Sequence, residues 1–181
     1  MQKKDIIIAI DPDIDGSGVA VLYMDTKCFQ AGNLTLPKLV DFLKDKKGWC
    51  EAEGISYVVV VEASYLVATN WHLSWDDSRN RAAAKGRQVG RNHEIGRQIV
   101  EFCKYLDIPY EEKLPLKKCW AGKDGKITHD ELQSLLEGMG IRTIHGKTNP
   151  EIRDAVLLAL DRSCLPLRMA SKRGGKDRPN K

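Results

Sequence analysis

The chain has 181 residues, 42% hydrophobic and 30% charged, a size and balance that fit one globular domain with a sizeable core and exclude a disordered or fibrous protein. No apolar run is long enough to span a bilayer, so no membrane partner is expected, and the first strand follows Met1 too closely to leave room for a signal peptide. The five cysteines, at 28, 50, 103, 119 and 164, include no CxxC pair; they suggest neither a disulfide framework nor a zinc ribbon and read as reduced thiols of a cytoplasmic protein. The net charge is +4, unevenly spread: Arg168–Lys181 holds six basic residues and one acid, which leaves −1 for the rest. Within that remainder, Arg79–Arg97 carries six basic residues against Glu94, and Lys113–Lys126 carries five against Asp124. Such segregation suits contact with a polyanion; the plainer reading is a solvated face followed by a disordered tail.

Taken in chain order, Ile6–Ile10 is a short β-branched run expected to form a central strand. Gly16-Ser17-Gly18 supplies turn chemistry. Val19–Met24 and Cys28–Leu34 read as two more strands, joined by a hairpin turn at Asp25-Thr26-Lys27. Pro37 to Glu53 has helical spacing at Leu39, Val40 and Leu43, with Pro37 in the first turn. Tyr57–Val61 is the second strongly apolar strand and ends on Glu62. The stretch from Tyr65 to Asn80, with Trp71 and Trp75, reads as a loop. Ala82 to Leu106 reads as a long helix, Ile108–Glu112 as a strand, and Pro115 breaks the pattern. Thr128 to Met139 is a helix with Thr128 as its cap and Glu131 completing a capping box. Ile141–Ile144 is a short strand or a connector. Glu151 to Cys164 is a helix capped by Asn149 and opened by Pro150. Strand hairpins followed by helical crossovers predict a mixed sheet with helices on both faces. Residues 1–165 form the expected domain and 166–181 a basic, disordered tail.

Two apolar strands end on acids, Asp11 and Glu62. In "NPEIRDAVLLAL", Glu151 and Asp154 lie three apart and share a helix face, in first turns where the dipole favours negative charge. The helix beyond them is apolar enough to be buried, which puts its acidic opening against the sheet. Acids that converge cannot all stay ionised without cations. Hard oxygen ligands suit Mg²⁺, with Mn²⁺ as the alternative, and two ions about 3.5–4 Å apart suit phosphodiester chemistry. Taken singly, each acid has a plainer explanation: a strand end, or a helix dipole satisfied.

These stretches resemble the RuvC-type Holliday junction resolvases of the ribonuclease H-like superfamily. The matching segments are "AIDPD" with "SGVAVL", "VVVVEASYL", "VGRNHEIGRQIVEFCKYLDIPYEE", "AGKDGKITHDELQSLL" and "EIRDAVLLAL", in that order over most of Ile6 to Leu160. The resemblance implies a ribonuclease H-like mixed five-stranded sheet with helices on both faces. It implies metal ligands at Asp11, Glu62, Glu151 and Asp154 for two Mg²⁺ ions per active site. It further implies Tyr65 as a residue that stacks on an unpaired base, Lys126 and Lys123 near the scissile phosphate, and a homodimer acting on a four-way DNA junction. With that reading, Arg87 and Arg91 of the long helix become phosphate contacts. Asp13 stands where the family has glycine, Glu151 where aspartate is usual, and the basic tail has no counterpart in the pattern.

Other readings remain at this point. A related nuclease could act on an RNA–DNA hybrid or a flap, or the fold could be a non-catalytic DNA-binding module. "DGSG" could cradle phosphate as in actin-like ATPases, which need a longer chain. "KDGKITHDEL" has the end of an EF-hand loop but Trp120 and Gly122 at its first two ligand positions, so Ca²⁺ is not expected. His72, His93, His129 and His145 show no ligand spacing.

Overall fold

The computed structural model describes residues 4–67, 78–142, 144 and 146–165. Its elements are β1 (Ile6–Asp11), β2 (Ser17–Tyr23), β3 (Cys28–Leu34), α1 (Leu36–Glu53), β4 (Tyr57–Glu62), α2 (Arg79–Tyr105), β5 (Tyr110–Lys113), α3 (His129–Gly138) and α4 (Pro150–Ser163). The sheet order is β3-β2-β1-β4-β5. β1 pairs antiparallel with β2 and β2 with β3, while β1–β4 and β4–β5 are parallel. This is the mixed five-stranded sheet expected from the sequence, with helices on both faces.

The central position of β1 follows from its composition. A run of apolar residues can be buried on both faces, and both are covered here. Ile6, Ile8 and Ile10 pack with Leu39 and Leu43 of α1 and Ile95 and Ile99 of α2. Ile7 and Ala9 pack with Leu158 and Ala159 of α4. Because side chains alternate along a strand, Asp11 continues the face of Ile7 and Ala9, and Glu62 continues the face of Val58 and Val60. Both strand-end acids therefore lie on the α4 side. α3 sits on that side too, through Leu132, Leu135 and Leu136 against Ala155, Val156 and Leu160.

Several boundaries differ from the sequence reading, each for a local reason. Ser17 and Gly18, expected in a turn, belong to β2, where Ser17 pairs with Leu34 and Gly18 with Asp11 and Asn33. α2 begins at Arg79, three residues earlier than expected, with Ser78 as its cap accepting from Arg81 N–H. β5 starts at Tyr110 rather than Ile108, after Asp107 takes a left-handed conformation (φ 52°). Of the stretch read as a short strand or a connector, the described residues Ile141, Arg142 and Ile144 lie in no strand. Gln133 holds Ile144 by both backbone groups, accepting from its N–H at 3.2 Å and donating to its carbonyl at 2.7 Å, and so takes the place of a neighbouring strand. The capping box at Thr128 and Glu131 and the Asn149 cap are both formed. Trp71, Trp75, His72, His145 and the basic tail lie outside the described residues. Among the described residues, no helix is long and apolar enough to cross a membrane.

Candidate active site

β1 and β4 run parallel, with Ile10 opposite Val61 as their final pair. One residue further on, Asp11 and Glu62 emerge side by side at the carboxyl ends of adjacent strands, which lie about 4.8 Å apart. Crevices at this end of an open sheet are where α/β proteins bind ligands. α4 meets them with its first two turns, which carry Glu151 and Asp154. The start of that helix is fixed from three directions. Asn149 caps it by accepting from Ile152 N–H at 2.9 Å. The Arg153 guanidinium donates to the Ile127 and Thr148 carbonyls at 2.7 and 2.5 Å. Gly18 of β2 touches the helix backbone so closely that an added Cβ would lie 2.0 Å from the Glu151 carbonyl oxygen.

The four acids feel one another. Burial raises the Asp11 carboxyl well above the usual range; Glu62 and Asp154 raise it further, Lys126 opposes them and Glu151 adds to the rise. Glu62 is pushed up to about 7, by burial first and then by Asp154, against the pull of Lys118 and Lys126. The Lys126 ammonium lies 3.1 Å from Asp154 Oδ2. Burial works against its charge, but Asp154, Asp11 and Glu151 more than compensate, so its pKa lies above the ordinary lysine value. It is therefore a cation at neutral pH.

Lys126 is aimed by a tight turn. Gly122 N–H donates to the Lys126 carbonyl, Lys126 N–H to the Lys123 carbonyl, and Trp120 N–H to the Gly125 carbonyl. Gly125 has φ 73°, and a Cβ on Gly122 would lie 2.3 Å from the Lys126 carbonyl oxygen. The glycines of "AGKDGK" are thus steric requirements, and the segment is a turn leading into α3. Glu131, the last residue of the apparent EF-hand pattern, is committed to Thr128 and Ala121 N–H.

A narrow crevice of ≈ 20 Å³, room for about one water, lies between these groups, lined by Glu62, Asp154, Lys126, Lys117, Lys118 and Trp120 among others. Neither Lys118 nor Trp120 is marked as a site residue by the sequence. The former belongs to a basic stretch that sequence identifies only collectively, and an isolated tryptophan carries no pattern. Glu151 lines a second, open groove of ≈ 430 Å³ with Asp13, Asp15, Asn33, Thr35 and Asn149, so the i, i+3 pair straddles the helix start.

Among the described residues, no group of three or more His, Cys, Asp or Glu side chains is gathered to hold a metal ion as it stands. The positive charge near Asp154 is that of Lys126. The donor set nonetheless fits a divalent cation of the hard kind: oxygen ligands, two of which, Asp11 and Glu62, are raised above the usual carboxyl range by burial first and then by neighbouring acids.

The residues expected to contact DNA differ in exposure and engagement. Lys123 is exposed in the turn beside Lys126, and Arg87 and Arg91 are exposed on α2. Tyr65 is engaged. Its hydroxyl donates to Glu112, the Arg97 guanidinium lies 5.0 Å from its ring centroid, and Gly96 packs so tightly that an added Cβ would lie 3.0 Å from the ring. A base can stack on Tyr65 only where Arg97 gives way. Asp13 is also engaged, bonding Asn92 and Asp15 N–H.

No family pattern matches the chain, and no curated protein is similar to it in sequence. Among solved structures it is similar to Thermus thermophilus RuvC in complex with Holliday junction substrate, with 14% identity and a TM-score of 0.40 over 86% of this chain and 90% of that one. A second structure of Thermus thermophilus RuvC gives 15% and 0.39 over 86% and 91%. The fowlpox virus resolvase in complex with its substrate Holliday junction DNA gives 13% and 0.40 over 87% and 96%.

Proposed function

We propose that the chain is a metal-dependent, structure-selective endodeoxyribonuclease that cuts four-way DNA junctions, with Asp11, Glu62, Asp154 and Glu151 as ligands for Mg²⁺. The observation that carries this reading is the strand register that sets Asp11 beside Glu62 at the carboxyl ends of β1 and β4, with Asp154 close enough to act on both; burial first, and then the three other acids, raise the Asp11 carboxyl, with Lys126 opposing them. Nature rarely buries repelling carboxylates without a function for them. Divalent ions held there would activate a water and stabilise the attacking and leaving oxygens of a phosphodiester. Asp11 and Glu62, on rigid strand ends, fix the ligand positions. Lys126, which is paired with Asp154, would supply positive charge to a phosphate held beside the ions and so help neutralise developing charge. Lys118, Lys123, Arg87 and Arg91 bind flanking phosphates, so affinity falls steeply with salt. The four-way junction as substrate, and a homodimer to cut it on two strands, rest on the sequence resemblance.

The test is cleavage of a synthetic four-way junction in Mg²⁺. Asp11→Asn and Asp154→Asn are expected to abolish cleavage while binding in EDTA is retained. Wild-type rates in either variant would remove the assignment. A second reading, a DNA-binding module without catalysis, draws on the pairing of Asp154 with the Lys126 ammonium, which a bound ion would have to displace. It requires junction binding with no cleavage in either Mg²⁺ or Mn²⁺.

A further inference from the structure

Asn92 makes two hydrogen bonds to the loop that leaves β1, across nearly eighty residues of sequence. Its side-chain oxygen accepts from Ile14 N–H at 3.1 Å, and its NH₂ donates to Asp13 Oδ2 at 3.0 Å. The other Asp13 oxygen accepts from Asp15 N–H at 2.9 Å, and Asp13 N–H donates to Ser17 Oγ at 3.2 Å, with Ser17 itself buried. The loop between Asp11 and β2 is thus locked at both ends, and Asp13 serves as its hinge pin, not as a metal ligand. One helical turn beyond Asn92, Gly96 packs against Tyr65 and lies 3.5 Å (as an added Cβ would measure it) from Pro12. The exit loops of β1 and β4, whose last residues are Asp11 and Glu62, therefore both rest on one short stretch of α2. The exposed Arg87 and Arg91 project from the same helix, one of them next to Asn92.

We infer that Asn92 is a positioning residue: through the Asp13–Ile14 loop it fixes Asp11 for metal binding and links that ligand to the basic helix that lies on DNA. The inference rests on the nuclease reading above. An amide is required chemically, because it must offer an acceptor to Ile14 and a donor to Asp13 at once. Asn92→Asp places a second carboxylate against Asp13, which repels it and frees the loop. Adding Asp13→Asn exchanges amide and carboxylate between the two positions and restores one donor facing one acceptor.

The experiment is a calorimetric titration of Mn²⁺ alone into the wild type, Asn92→Asp, Asp13→Asn and the double variant, with junction cleavage and urea unfolding measured in parallel. Residues that orient metal ligands typically cost 10–100-fold in affinity when lost, so Asn92→Asp is expected to weaken Mn²⁺ by about tenfold. The double variant, whose net charge equals that of the wild type, is expected to return to within about twofold of wild type. Recovery in the exchange separates positioning from a general loss of fold, which the urea midpoints report independently. If the wild type binds Mn²⁺ and cuts junctions but Asn92→Asp does both equally well, or the double variant does not recover, the inference falls and the nuclease reading stands. A wild type that neither binds Mn²⁺ nor cuts ends both.

Discussion

Replacing Gly18 by alanine tests the geometry that brings β2, α4 and the acids together. The new Cβ would lie 2.0 Å from the Glu151 carbonyl oxygen, 2.2 Å from its carbon and 2.8 Å from Ile152 N. All three are backbone atoms, so no side chain can rotate away. Ordinary contact begins near 3.4 Å, and the first turn of α4 must retreat by more than 1 Å to reach it. That turn is held by Asn149 and Arg153; it carries Glu151, and Asp154 lies in the turn that follows. Overpacking of this kind costs about 1–3 kcal/mol, which for a domain of this size lowers Tm by about 2–12 °C. A ligand set displaced by 1 Å loses on the order of 10²-fold in rate. Gly32→Ala in β3 is the control: a Cβ there meets nothing within 4 Å, and it should match the wild type or exceed it slightly. Scanning calorimetry and single-turnover junction cleavage read the two effects. If Gly18→Ala melts and cuts like the wild type, the close approach of β2 to α4 is wrong, and with it the placement of the acids.

Three further outcomes are expected. Folded Glu62 keeps its proton to about pH 7, whereas the unfolded chain releases it in the ordinary glutamate range; the folded state therefore holds the extra proton, and stability falls as pH rises between the two values, by on the order of 3 kcal/mol. Urea midpoints in EDTA at pH 5 and pH 8 should show this decline in the wild type, with Glu62→Gln losing part of it; equal declines would count against the buried acid. Arg162, 4% exposed, makes paired bonds to Glu111 at 2.5 and 2.8 Å; Arg162→Ala should destabilise toward the lower end of about 3–5 kcal/mol, since Glu111 is partly solvated, and a loss below 1 kcal/mol in urea unfolding would refute the clamp between β5 and α4. Tyr65→Ala should slow junction cleavage by the equivalent of about 1–3 kcal/mol of base stacking while duplex binding, read by fluorescence anisotropy, is unchanged; equal loss of both would remove the stacking role.

Much of this was legible in the sequence, for identifiable reasons. The Ile6–Ile10 run and its counterpart before Glu62 announce strands covered on both faces, and the strand alternation that buries them also aims Asp11 and Glu62 at α4. The capped openings at Thr128 and Asn149 mark two helix starts to the residue, because a cap is a local chemical event. What escaped is tertiary. Asn92 resembles any polar residue on a solvated helix until its partners, Asp13 and Ile14, are brought to it by the fold. Gly18 reads as turn chemistry, although its need for a bare Cα comes from α4, over a hundred residues away. Tyr65 shows only as an aromatic after a strand; that Arg97 and Gly96 cover its ring could not be seen in the order of the chain. Ile144 is apolar and β-branched like a strand residue, yet a single glutamine side chain supplies the partners a sheet would have given.

The most direct measurement is cleavage of a four-way junction as Mg²⁺ is titrated into wild-type protein prepared in EDTA. The account predicts a bound, intact junction in EDTA and nicked strands as the ion is added, with the rate following ion occupancy. Strands cut in EDTA, or a bound junction that stays whole in saturating Mg²⁺, would contradict it.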